Sequence, residues 1–173
     1  KELLKVCQEQ NLSISAVMLQ RELTEGEQDP EETDRKMDRV LEIMKSAAST
    51  PIHTPVKSMG GLIGGEAKKI SDHKDAGKSL CGDLLERAVI YAMATLETNA
   101  SMGVIVASPT AGSAGIVPGL LLALQETYDL SDEQIKQGLY NASAIGYLAM
   151  RNATVAGAVG GCQAEVGIAS AMA

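Results

Sequence analysis

Ser131-Asp132-Glu133-Gln134, with the run to Arg151 behind it, is the stretch that decides the fold class. A serine hydroxyl that reaches the backbone N–H three residues on, answered by a glutamine side chain that reaches back, is a capping box, so a helix is expected from here to about Arg151. On that helix Gly138, Ala142 and Gly146 recur every four residues and give one flat side for close approach of another backbone. This pattern reads as tight helix packing.

The same signals recur outward from that stretch. Asp29-Pro30-Glu31-Glu32 supplies an N-cap, a proline at the first helical position and acids for the first turn. Behind it Met37, Val40, Leu41, Met44, Ala47 and Ala48 fall at helical spacing. A short helical pattern runs from Lys1 to about Gln10, and Ser13 caps a second helix to about Glu25, with Ile14, Val17, Met18 and Leu23 as candidate buried positions. From Ser79 to Asn99 the set Leu80, Leu84, Leu85, Ala88, Val89, Ala92 and Leu96 keeps a helical period. Ala114 to about Tyr128 is mostly apolar and reads as helix, with Pro118 close enough to its start to be tolerated. Between these, Thr50 to Gly77 is broken by prolines and glycines and is expected to be a long connection with a short helix around Glu66 to His73. Val104-Ile105-Val106-Ala107 reads either as a short strand or as a buried extended segment, and a lone strand makes no sheet. Strand alternation, heptads and solenoid-length repeats do not occur. The expectation is an all-α fold: a single helical domain over residues 1–173 with glycine-rich functional loops.

Composition narrows the function. Phe and Trp are absent, so Leu, Ile, Val, Met and Ala must fill the core, which favours closely packed helices. A net charge of −7 with both signs mixed along the first half leaves no basic stripe for nucleic acid. Cys7, Cys81 and Cys162 are far apart and odd in number, and no secretory signal opens the chain, which fits a reducing cytoplasm. No charged residue occurs from Thr98 to Gln125, but Pro109, Pro118 and four glycines interrupt that stretch, so no membrane span is expected.

Two passages stand out chemically. In Gly160-Gly161-Cys162-Gln163-Ala164-Glu165-Val166-Gly167 a thiol sits beside two residues without a Cβ, three residues before a carboxylate. Such a thiol can approach a metal or ligand closely, though a cysteine is also a common small core residue. Glu165, on one helical face with Cys162, reads either as a base or partner of the thiol, or as an ion pair with Arg151. In Ser108 to Gly119 backbone N–H groups and the Thr110 and Ser113 hydroxyls precede a helix N-terminus, an arrangement that favours anions. Gly64-Gly65-Glu66-Ala67-Lys68-Lys69 lacks the spacing of a phosphate-binding P-loop, and Lys68 reads as a carboxylate partner or a solvated lysine. Asn99 and Asn152 are ligand candidates or turn contacts. His53 and His73 lack metal-ligand spacing, and Cys7 and Cys81 read as packing residues.

With Asn99-Ala100-Ser101-Met102-Gly103 and Gly60-Gly61-Leu62-Ile63-Gly64-Gly65-Glu66-Ala67-Lys68-Lys69, these passages resemble the α subunit or α domain of the iron-sulfur-dependent bacterial L-serine dehydratases, from about Glu2 to the last residue. The resemblance implies conversion of L-serine to pyruvate and ammonia through an aminoacrylate, on a [4Fe-4S] cluster with one open iron rather than pyridoxal phosphate. It implies Cys162 as the first cluster cysteine, with two further ligands beyond Ala173. It also implies substrate contact from Thr110, Ala111, Gly112 and Ser113. From their own chemistry Gly64, Gly65, Lys68 and Asn99 are further substrate candidates, and Glu165 is the candidate catalytic group. No β domain precedes Lys1, so a separate β chain is the expected partner, in a homo- or hetero-oligomer. Ile168 to Ala173 reads as a helix opening without a stop signal, so the α domain is expected to be incomplete at its C-terminus, without a full cluster and inactive alone. Competing readings are a non-catalytic small-anion-binding or oligomerisation module, and a dehydratase for another small hydroxy acid.

Overall fold

The computed structural model describes residues 2–79 and 81–173, and no strand occurs among them. In chain order the helices are α1 (Glu2–Gln10), α2 (Ile14–Glu25), α3 (Pro30–His53), α4 (Glu66–Asp75), α5 (Asp83–Ala100), α6 (Ile116–Tyr128), α7 (Asp132–Asn152), α8 (Gly157–Gly160) and α9 (Cys162–Met172), with a 3-10 turn at Ala111–Ser113 before α6. The all-α expectation holds; Val104 to Ala107 belongs to no helix or ladder and, contrary to expectation, is not buried, with Val104 and Ala107 exposed and Ile105 and Val106 half-buried.

The caps form as their chemistry dictates. Ser13 Oγ accepts from Ala16 N–H at 3.2 Å, and the Asp29 carboxylate accepts from Glu32 N–H at 3.0 Å. Both arms of the Ser131–Gln134 capping box are made. The α3 helix outruns its expected end at Thr50 and carries Pro51 in its last turn. A proline there strips the carbonyl four residues back of its hydrogen bond. That carbonyl belongs to Ala47, and the Thr98 hydroxyl of α5 donates to it at 2.8 Å, so a side chain from another helix replaces the lost bond.

Leu41 and Met44 of α3, Val117 of α6 and Ile135, Leu139 and Ala142 of α7 form the core, with Met37, Val40, Leu121 and Met172 packed against it. Lys136 is buried beside it. Its ammonium donates to Asp34 at 2.6 Å and Asp38 at 3.0 Å, tying α7 to α3, and reaches Glu133 at 3.1 Å on its own helix. The hydrogen bond to Asp34, then those to Asp38 and Glu133, raise its pKa against the opposing effect of burial.

Three expectations are corrected. The α5 helix begins at Asp83 rather than Ser79, because Gly82 takes φ +82°; Leu80, expected on this helix, lies outside the described residues. Its apolar period is helical, but the buried residues are Glu86, Ile90, Ala94, Thr95 and Glu97, while Leu85, Val89 and Leu96 stay exposed. The small residues of α7 do not meet a backbone. A Cβ on Gly138 would meet the Leu121 side chain at 3.1 Å and one on Gly146 the Met172 side chain at 3.1 Å. Finally, α9 begins at Cys162, six residues before the expected start, directly after Gly161 at φ +75°.

Backbone contact occurs instead between α5 and α6. A Cβ on Gly115 would fall 2.5 Å from the Ala92 carbonyl oxygen, and one on Gly119 would fall 2.8 Å from that of Ala88. Gly119→Ala is therefore expected to destabilise the fold by about 1–3 kcal/mol, the usual cost of overpacking. The ~1 kcal/mol that alanine gains over glycine in a helix would otherwise act in the opposite direction. The denaturant midpoint reads the sign: an unchanged or higher midpoint would show that the two helices move apart freely.

The uncharged stretch from Thr98 to Gln125 is divided among the end of α5, a loop and most of α6. Among the described residues no helix is long and apolar enough to cross a membrane.

Candidate functional site

The last turn of α5 and the N-terminal half of α9 close on the loop that leads into α6. In that loop Ser108 N–H donates to the Thr110 carbonyl at 3.3 Å, and Ser113 Oγ donates to the Ser108 carbonyl at 3.3 Å. The Thr110 and Ser113 hydroxyls are 3.2 Å apart. Asn99 holds the loop from outside, its Nδ2 donating to the Ala111 carbonyl at 3.0 Å. Thr110 and Ser113 thus precede the N-terminus of α6, where the first backbone N–H groups lack intrahelical acceptors, and the Ser113 hydroxyl is buried within the loop.

Starting α9 at Cys162 puts Cys162 and Glu165 three residues apart on one helix, hence on neighbouring positions of one face. The thiol is exposed and the carboxylate half-buried. Glu165 points into the loop: a Cβ on Gly112 would lie 3.5 Å from Glu165 Oε2 and 3.9 Å from Thr110 Oγ1. On the other side, a Cβ on Gly157 of α8 would lie 2.9 Å from the same carboxyl group. Two glycines therefore flank one carboxylate, and a side chain at Gly157 would displace it. Glu165 has no hydrogen-bond or ion-pair partner among the described residues. The alternative ion pair with Arg151 does not form; Arg151 lies over the Tyr147 ring, 5.8 Å from its centroid, and donates to Tyr147 Oη at 3.2 Å.

The structure thus brings Thr110, Ala111, Gly112, Ser113, Asn99, Glu165 and Cys162 into one region. The second glycine-rich segment is occupied differently. Gly64 and Gly65 take φ +150° and +91°, and their N–H groups already donate to carboxylates: Gly64 to Glu66 Oε2 at 2.6 Å, and Gly65 to Glu97 Oε2 at 2.9 Å. The Gly64 N–H holds the Glu66 carboxyl below its ordinary pKa. Ala67 N–H donates to Glu97 Oε1 at 2.7 Å. Lys68 pairs with Asp72 one turn on, at 2.8 and 3.0 Å. Asn152 Nδ2 donates to the Leu148 carbonyl within its own helix.

Glu97 and Gly157 escape the sequence reading. Glu97 carries a signal, being the one charged residue between Arg87 and Glu126. Gly157 carries none, because only the fold sets it against Glu165. Two clefts of about 410 and 290 Å³ lie elsewhere, the first lined by Met18, Arg21, Tyr147 and Arg151, the second by His53, Lys74, Arg87 and Tyr91. Neither contains the carboxylate, thiol and loop, so side-chain chemistry rather than cavity size locates the candidate site.

A [4Fe-4S] cluster draws its ligands from several cysteine thiolates. An exposed thiol beside Gly161, which carries no Cβ, fits one such ligand, because nothing on its own chain covers it. Cys7 lies half-buried on α1 and Cys81 is exposed just before α5. Among the described residues no three His, Cys, Asp or Glu side chains converge as a metal would require. Cys162 fits as a single ligand, and the described residues do not complete the set.

The chain is 44% identical over 173 residues to the probable L-serine dehydratase alpha chain of Bacillus subtilis, covering all of this chain and 57% of that protein. It is 40% identical to the L-serine dehydratase alpha chain of Peptoniphilus asaccharolyticus, covering all of this chain and 59% of that protein. Identity to L-serine dehydratase 2 of Escherichia coli is 31%, over 99% of this chain and 38% of that protein. The chain therefore spans less than three fifths of the length of the curated relatives it matches. The family model described as serine dehydratase alpha chain matches residues 9–173, and the chain belongs to that family.

Proposed function

We propose that the enzyme containing this chain removes water from L-serine and releases pyruvate and ammonia. One observation carries the reading: an unpaired, half-buried carboxylate, Glu165, faces the Thr110–Ser113 loop from the helix that begins with Cys162. The Thr110 hydroxyl and the N-terminus of α6 receive the substrate carboxylate, as anions are favoured there, with Ser113 bracing the loop from within. Glu165 takes the Cα proton. The freed electron pair forms the Cα=Cβ double bond as the β-hydroxyl leaves and is protonated to water. The resulting aminoacrylate tautomerises to an imine, which water hydrolyses to pyruvate and ammonia.

Cys162 would hold one iron of a [4Fe-4S] cluster, whose Lewis acidity supports departure of the hydroxyl group, with its remaining ligands supplied from outside the described residues. Relatives named alpha chains support a second, β subunit as the partner.

The test uses the full-length enzyme with its partner chain, prepared anaerobically, and measures pyruvate released from L-serine. Thr110→Val keeps shape and removes the hydroxyl; losing one hydrogen bond to a charged group is expected to raise KM about ten-fold with kcat little changed. A cluster-loaded, partnered enzyme that yields no pyruvate from L-serine sinks the reading.

A further inference from the structure

Four consecutive residues at the end of α5 each fasten a different part of the molecule. Glu97 accepts from Gly65 N–H and Ala67 N–H at the start of α4, at 2.9 and 2.7 Å. Thr98 donates to the Ala47 carbonyl of α3. Asn99 donates to the Ala111 carbonyl of the site loop. The Ala100 carbonyl accepts from Met59 N–H in the 58–63 turn at 3.4 Å.

Among these, Glu97 is the costly member. It is 1% exposed, and a carboxylate so buried is retained only where hydrogen bonds compensate its desolvation. Both of its oxygens are compensated by backbone donors, and one of these, Gly65 at φ +91°, follows Gly64 at φ +150° in a turn whose backbone favours glycine. A Cβ on Gly64 would fall 2.3 Å from the Val56 carbonyl oxygen. The bonds therefore lock a turn that depends on glycine to the helix end that also carries Asn99. Nothing in the segment itself reaches the Ala111 carbonyl; the route from one glycine-rich stretch to the other runs through the α5 turn.

We propose that Glu97 is a positioning residue: by clamping Gly65 and Ala67 to the last turn of α5, it sets where Asn99 holds the substrate loop. This rests on the reading of Thr110–Ser113 as the substrate loop. The α4 N-terminus and the loop before α6 then form one mechanical unit, and loosening the first loosens the second.

The test compares Glu97→Gln with wild type in the full-length, partnered enzyme. The amide keeps the length but offers one acceptor where two are needed, leaving a backbone N–H without its partner. Two readouts are taken at a temperature where both proteins are folded. Amide hydrogen exchange is expected to quicken about ten-fold at residues 64–67 and also at 111–116, with α7 unaffected. KM for L-serine is expected to rise about ten-fold with kcat within about three-fold, because loop placement rather than the reacting groups is disturbed. If only residues 64–67 loosen and KM is unchanged, Glu97 is a local cap and the proposal is overturned. Glu97→Asp, which keeps the charge but cannot span both donors, is read the same way should the glutamine variant fail to accumulate. Absence of serine turnover in wild type would strike the functional reading, while the exchange measurement still decides the coupling on its own.

Discussion

Glu165→Gln in the full-length enzyme is expected to lower kcat for L-serine by about 10²- to 10⁴-fold, the usual contribution of a positioned acid or base. The amide matches the carboxylate in shape, and the pocket between Gly112 and Gly157 that accepts the one accepts the other. Folding and substrate binding should therefore survive, with KM within about three-fold of wild type. What is lost is a group able to take a proton. Because Glu165 has no cation or donor beside it among the described residues, its lone pairs are free for the Cα proton. Steady-state kinetics with pyruvate detection, together with a circular dichroism spectrum to verify the fold, check this. A variant that retains kcat within about three-fold would remove Glu165 from the chemistry and leave it a spacer between two glycines.

The second large effect concerns Cys162→Ala. In the anaerobically prepared enzyme it is expected to abolish cluster absorbance and to lower turnover by more than about 10²-fold, because cluster iron is held by cysteine thiolates and alanine offers no ligand. The fold should be nearly indifferent. The thiol is exposed and heads a helix that alanine continues well, so stability is expected to change by less than about 0.5 kcal/mol. That contrast gives the experiment its force: turnover collapses while the unfolding midpoint stays. Turnover of L-serine at the normal rate without this thiol would mean that Cys162 holds no iron, and the Glu165 chemistry would have to proceed without that ligand.

Particular residues show how far the sequence could be read. Ser13, Asp29 and the Ser131–Gln134 pair act within three residues of themselves, and the helices they open were legible for that reason. The expectation of an anion site at Thr110 to Ser113 rests on equally local signals. Glu165 could be placed near Cys162 by helical spacing, but its two alternatives, base or partner of Arg151, could be separated only once Arg151 was seen lying over Tyr147. The buried face of α5 stayed open for a related reason. Its apolar period marks two possible sides, and which one is buried depends on Gly115 and Gly119 bringing α6 onto Ala92 and Ala88. The early start of α9 was hidden by Gly160 and Gly161 just before it and by Gly167 inside it, which weakens a helix in isolation and is carried here by packing of the helix on α6 and α7.

By itself, then, the chain's order of residues determined the helical class, the caps and the kinds of group that a site could use, because each follows from contacts between near neighbours and from composition. The tertiary structure decided which of those groups meet. Only packing sets Glu165 between Gly112 and Gly157, supplies Thr98 to the carbonyl that Pro51 leaves free, and buries Glu97 against the backbone of Gly65 and Ala67. These contacts join residues far apart along the chain, and a helical period records that a face exists without recording what lies across from it.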